Sequence, residues 1–136
     1  MKRYIAVSIA AGILFALMDG LINANPLAQA LYSVYAPIAR APINAAAGIA
    51  IDLLYGFILA GLFLVLYRGI PGRTGIAQGA AFGLITWFLR VVMQAASAWV
   101  VFTVPEITLL YFIVAGLGEM LVLGVFLGVA LKPGGG

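Results

Sequence analysis

Four apolar runs, each about as long as a bilayer is thick, constrain this chain more than anything else in it. A helix needs about 20 mostly apolar residues to cross a hydrocarbon core of ~30 Å, and residues 4–24, 44–67, 74–103 and 107–131 each meet that requirement. The chain is 65% hydrophobic and 8% charged, against about 45–50% apolar and about 25% charged in an average soluble domain. A soluble fold of 136 residues could not cover that surface. The expected fold is therefore an all-α, single-domain integral membrane four-helix bundle spanning residues 1–131, followed by a flexible tail, 132–136. The third run is longer than a bilayer requires, which predicts a tilted or protruding helix.

Basic residues orient the spans. Lys2, Arg3, Arg68, Arg73 and Lys132 fall on one side, against Arg40 on the other. The positive-inside rule then places both termini and the YRGIPGRT loop in the cytoplasm, with the plasma (inner) membrane as the expected location. MKRYIAVSIAAGILFALM also has the basic start and apolar middle of a secretory signal, with an A-x-A site at Ala28-Gln29-Ala30; we read it as a retained first span.

Helix punctuation separates the runs. Asn25-Pro26 has the form of an N-cap followed by proline at the first helical position. After it, Leu27, Leu31, Val34 and Ile38 recur at helical spacing, which predicts a short amphipathic interfacial helix over 26–38, broken near Pro37, before Pro42 opens the second span. Thr103-Val-Pro-Glu106 has capping-box spacing, so Glu106 reads as the start of the fourth span.

Small residues are where helices in lipid approach closely. Gly75, Gly79 and Gly83 recur every four residues in the third run and Gly124 and Gly128 in the fourth, predicting tight contacts within one chain or between copies. Each span also carries a polar stripe, because residues four apart share a helix face: Asp19 and Asn23; Asn44, Gly48, Asp52 and Gly56; Thr86, Arg90, Gln94 and Ser97; Tyr111, Ala115 and Glu119. At 1.5 Å per residue, Arg90 and Glu119 both lie near mid-span and form the expected ion pair. Asp52 and Asp19 lie further out, at similar depth. Three acids then face one base. An ionised group at the bilayer centre costs at least ~2.5–3.5 kcal/mol, so one carboxyl is protonated, or water or a cation reaches it.

Without Cys or His there are no disulfides, thiolate or imidazole metal sites, Cys nucleophiles or His-ligated haem. The net charge of +3 is too small and too dispersed for a nucleic-acid surface. No nucleophile elbow or H-E-x-x-H motif occurs, so an enzyme is not expected, and neither a metal nor a cofactor is predicted. Bound lipid is allowed for, and Trp87, Phe88, Trp99 and Phe102 offer rings on which a lipid, quinone or pigment would stack. Two functional readings remain. In the first, the chain is a non-catalytic subunit or self-assembling component of a membrane complex, as a homo-oligomer or within a larger assembly, and Arg90, Glu119, Asp52 and Asp19 fix helix packing. In the second, it is a proton- or ion-coupled small transporter or channel, in which Asp52 is the surplus carboxyl, Asp19, Asn23, Asn44 and Gln94 complete the candidate proton, ion or partner site, and Arg90–Glu119 is the gate or anion-binding pair. Asp52 in AGIAID and Glu119 in AGLGE each lie in the second helix of a hairpin, an echo too short to establish a repeat.

Overall fold

The computed structural model describes residues 1–39 and 42–131; Arg40, Lys132 and the rest of the 132–136 tail lie outside the described residues. The elements are α1 (Lys2–Ala24), α2 (Pro26–Leu31), a 3₁₀ segment (Tyr32–Ile38), α3 (Ala45–Leu66), a 3₁₀ turn (Tyr67–Gly69), α4 (Gly75–Trp87), a π-helical turn (Phe88–Val92), α5 (Met93–Val101) and α6 (Glu106–Leu131). No strand occurs among the described residues. Four continuous helical stretches, Lys2–Ala24, Ala45–Gly69, Gly75–Val101 and Glu106–Leu131, are long and apolar enough to cross a membrane.

Local chemistry sets the connections. Asn25 ends α1 and begins α2 with one side chain: its Nδ2 donates to the carbonyls of Leu21 and Ile22, and its Oδ1 accepts from Ala28 N at 2.8 Å. Asn44 caps α3 by accepting from Ala47 N, and Thr74 caps α4 by accepting from Ala77 N. Gln78 secures the loop between α3 and α4, its Nε2 donating to the carbonyls of Tyr67 and Ile70. Within that loop Gly72 has φ +131°, a conformation only glycine adopts without strain.

The structure adds detail to two expectations and corrects a third. The third span is continuous but carries a π turn at Phe88–Val92, and extended backbone at Phe102 ends it. The segment 26–38 is one turn and a half of α-helix followed by 3₁₀ helix containing Pro37, and its Leu27, Val34 and Ile38 face outward while Ala28 is buried. Thr103 does not cap α6. The helix begins at Glu106, and the carbonyl of Pro105 accepts from Thr108 and Leu109, which leaves Thr103 two residues short of the capping position.

The helices pack as two hairpins, α1 with α3 and α4 with α6, joined chiefly by α1 against α6. Backbone proximity explains each pair. A Cβ on Gly79 would fall on the carbonyl of Gly124, one on Gly128 on the carbonyl of Gly75, and one on Gly83 on the carbonyl of Met120. In the first hairpin a Cβ on Gly56 would fall on the Ser8 carbonyl and the Gly12 backbone. Arg3 Nε donates to the Ala130 carbonyl at 2.7 Å, so both ends of the helical domain, and the 67–74 loop, share one end of the molecule, called here the terminal end. Phe15, Phe63, Phe82, Met120, Leu123 and Leu127 fill the interior from that end to mid-height. The opposite, far end is looser: residues 42–51 of the α3 arm are all exposed.

Overpacking a close helix contact costs about 1–3 kcal/mol. Gly79→Ala and Gly56→Ala are therefore expected to lower the unfolding midpoint in detergent by that amount or more. Gly48→Ala and Gly118→Ala, where nothing lies within 4 Å, are expected to leave it unchanged or raise it slightly, since alanine favours helix.

Candidate functional site

The π turn carries Arg90 at the level where all four long helical stretches meet. Its Nη1 lies 3.5 Å from Glu119 Oε1 on α6. Its Cζ sits 4.9 Å from the ring centre of Phe15 on α1 and 5.0 Å from that of Tyr55 on α3, and those two rings stack on each other at 5.1 Å with a 20° interplanar angle. A guanidinium over ring faces is attracted by their quadrupoles, by about 0.5–2 kcal/mol depending on desolvation. The Arg90 side chain is 28% exposed and that of Glu119 only 4%. Two atoms of the pair, Arg90 Nε and Glu119 Oε2, are buried without a hydrogen-bond partner.

Both aspartates join this centre. The Asp19 carboxyl lies within hydrogen-bonding reach of those of Glu119 and Asp52, and the Arg90 charge acts on all three. The first hairpin thus contributes Asp19 and Asp52, the second Arg90 and Glu119. Among the described residues no three acids are arranged to hold a metal ion.

The other expected site residues are scattered. Asn23, one turn beyond Asp19, is exposed and donates to the Asp19 backbone carbonyl. Gln94, one turn beyond Arg90, lines a far-end cavity of about 620 Å³ together with Asn23, Tyr32, Tyr35, Ser97 and Thr108. No charged side chain lines it. Burial, with the neighbouring Tyr111 and Tyr35 phenols, pushes Tyr32 up to about 12, so this phenol remains a hydrogen-bond donor. Tyr111 itself donates to the Ile22 carbonyl and accepts from Asn25 Nδ2, tying α6 to the end of α1. Asn44 is an exposed helix cap, away from the acids. Gly75, Gly79, Gly83, Gly124 and Gly128 lie at the α4–α6 contact. Trp87 is a tether, donating from Nε1 to the Ile113 carbonyl at 2.9 Å, while Phe88, Trp99 and Phe102 stand exposed.

Sequence reasoning overlooked Phe15 and Tyr55. Helical spacing held the signal: Phe15 is four residues before Asp19 and Tyr55 three after Asp52, so each ring shares a face with an acid. The π turn had no such signal, because FLRVV contains neither Gly nor Pro.

Residues 5–133 match the model of DUF6789, described as a family of unknown function, and the chain belongs to that family. No curated protein and no solved structure matches it.

Removing one member of a buried ion pair costs about 3–5 kcal/mol, because the other is left unpaired. Arg90→Met is expected to destabilise by about 3 kcal/mol, at the lower end because the guanidinium is partly exposed, as read by denaturant unfolding in micelles. Arg90→Met combined with Glu119→Leu is expected to recover most of that loss.

Proposed function

We propose that this member of DUF6789 is an integral membrane protein that couples a proton or other ion to the movement of a small solute. Its four long helical stretches cross the plasma membrane, with the terminal end cytoplasmic and the far end outside. The positive-inside count supports this orientation. The observation that carries the coupling reading is the convergence of three carboxyls on one guanidinium at mid-height, with a carboxylate oxygen sealed from solvent and unpartnered. A network serving only to hold helices together satisfies its buried groups, since each one left unpaired costs stability. The cluster also sits where transport needs it, at the seam between two hairpins that glycine contacts make rigid. Rocking one hairpin against the other across the α1–α6 contact opens alternate sides of a fixed site in many carriers. Aromatic packing closes the cytoplasmic half below the cluster, and a largely apolar cavity carrying Asn23, Gln94 and Ser97 lies above it.

A second reading, a non-catalytic subunit or self-assembling component, is favoured by the outer arm of α3. Ala45, Ala46, Ala47, Gly48 and Ala50 are small and exposed there, as a helix awaiting another helix in lipid would be. A defined complex or oligomer recovered in mild detergent, from a protein that carries no flux, is the outcome that favours it.

The chain has no natural cysteine, so single-cysteine labelling tests the topology directly. Ser33→Cys is expected to react with an impermeant maleimide in intact cells, and Lys2→Cys only after permeabilisation; the reverse pattern inverts the assignment. In proteoliposomes under an imposed pH gradient, proton flux is expected to fall by about tenfold or more, a barrier change of about 1.4 kcal/mol, in Asp19→Asn and Glu119→Gln. Wild-type flux in both variants would exclude coupling through this site.

A further inference from the structure

We infer that the ion bound at this centre is a single proton, shared between Glu119 and Asp19 and delivered from the far-end cavity, and not a metal cation. The inference deepens the transport reading and rests on it for what the proton is used for; the site itself stands on geometry.

Glu119 is the first element of that geometry. Its Oε1 meets Arg90 Nη1, while Oε2 is buried with no donor near it. Its acidic neighbour from α1 is the Asp19 carboxyl, which has no hydrogen to give when ionised. Two carboxyl groups at hydrogen-bonding separation are joined only when one of them carries a proton. A proton carried by Asp19 and shared with Glu119 Oε2 supplies the donor that the sealed carboxylate lacks and leaves Glu119 charged against Arg90. The groups facing the Glu119–Asp19 pair are Asp52 and Tyr55 from α3 and Arg90 from the π turn. With every acid ionised, three negative charges surround one positive charge; a single proton leaves two against one, with Asp52 partly exposed.

A metal cation does not fit the same place. Hard cations demand several converging oxygens, and no three acids among the described residues offer that arrangement. The ring faces of Phe15 and Tyr55, which would otherwise attract a cation, are already occupied by the guanidinium. That fixed positive charge also repels a second one.

The far-end cavity comes within one helical turn of the pair. Asn23 and Gln94 stand one helical turn outward of Asp19 and Arg90, and both line the open cavity. On the other side Ala11, Phe15, Phe63, Phe82 and Met120 are closed to solvent.

Infrared spectroscopy of the full chain in lipid vesicles tests the site. Only four acidic side chains exist in the protein, and the fourth, Glu106, is exposed, so the carboxyl region is uncrowded. At neutral pH the wild type is expected to show the carbonyl stretch of a protonated carboxyl, shifting promptly on transfer to D₂O. The band is expected to vanish in Glu119→Gln and in Asp19→Asn, to persist in Asp52→Asn, and to ignore replacement of choline chloride by sodium or potassium chloride. A neutral wild-type protein without the band, a band that survives both the Glu119 and Asp19 substitutions, or one abolished by sodium or potassium overturns the proposal. The wild-type spectrum and its salt response decide the matter even if the variants do not fold. A band without flux removes the transport reading and leaves the proton site; flux without the band does the opposite.

Discussion

One positive charge organises this molecule. The guanidinium of Arg90 contacts a carboxylate on α6 and aromatic rings on α1 and α3, so a single side chain touches every other long helix. Lipid gives helices little reason to associate in one arrangement over another, because packing against an acyl chain and packing against leucine are nearly equivalent. A buried charge breaks that equivalence. It must be met by counter-charge and ring faces, and the observed placement of the two hairpins supplies both.

The hairpins hold together by different physics. Where Gly79 meets Gly124 and Gly12 meets Gly56, backbones approach so closely that no side chain fits between them, and dispersion with weak Cα–H···O contacts does the work. Such contacts tolerate little sliding. The α1–α6 seam is thinner and carries polar ties, Arg3 to Ala130 at one end and Tyr111 to Ile22 at the other. Motion in this fold is therefore expected at the seam rather than within a hairpin, and the acids of one hairpin and the ion pair of the other face each other across it.

Much of this was legible in the sequence, for reasons that also explain what was not. Span positions follow from length and hydropathy, which depend on composition alone. Counting residues from the turn between the last two spans pairs Arg90 with Glu119, because two antiparallel helices joined by a short link share a depth scale. Asn25-Pro26 reads correctly since the capping bond, from Ala28 N, lies within four residues in the chain. Thr103 misled because spacing alone does not reveal which residue starts a helix, and Pro105 takes the cap. Asn44 shares a helical stripe with Asp52, yet the far part of α3 extends beyond the packed interior and the shared face meets nothing. Gly12 had no repeat to mark it; its reason for being small is the Leu53 backbone, more than forty residues away.

The π turn has a reach beyond Arg90. Each residue advances an α-helix by about 100°, so one wide turn changes which face the rest of the helix presents. Before it, Gly75, Gly79 and Gly83 lie against α6; after it, Gln94 and Ser97 line the cavity. The third span is in effect two helices spliced end to end, one packed along α6 and one lining a cavity. A residue inserted into or removed from the splice would rotate the second helix by about 100° and turn Gln94 and Ser97 away from that cavity.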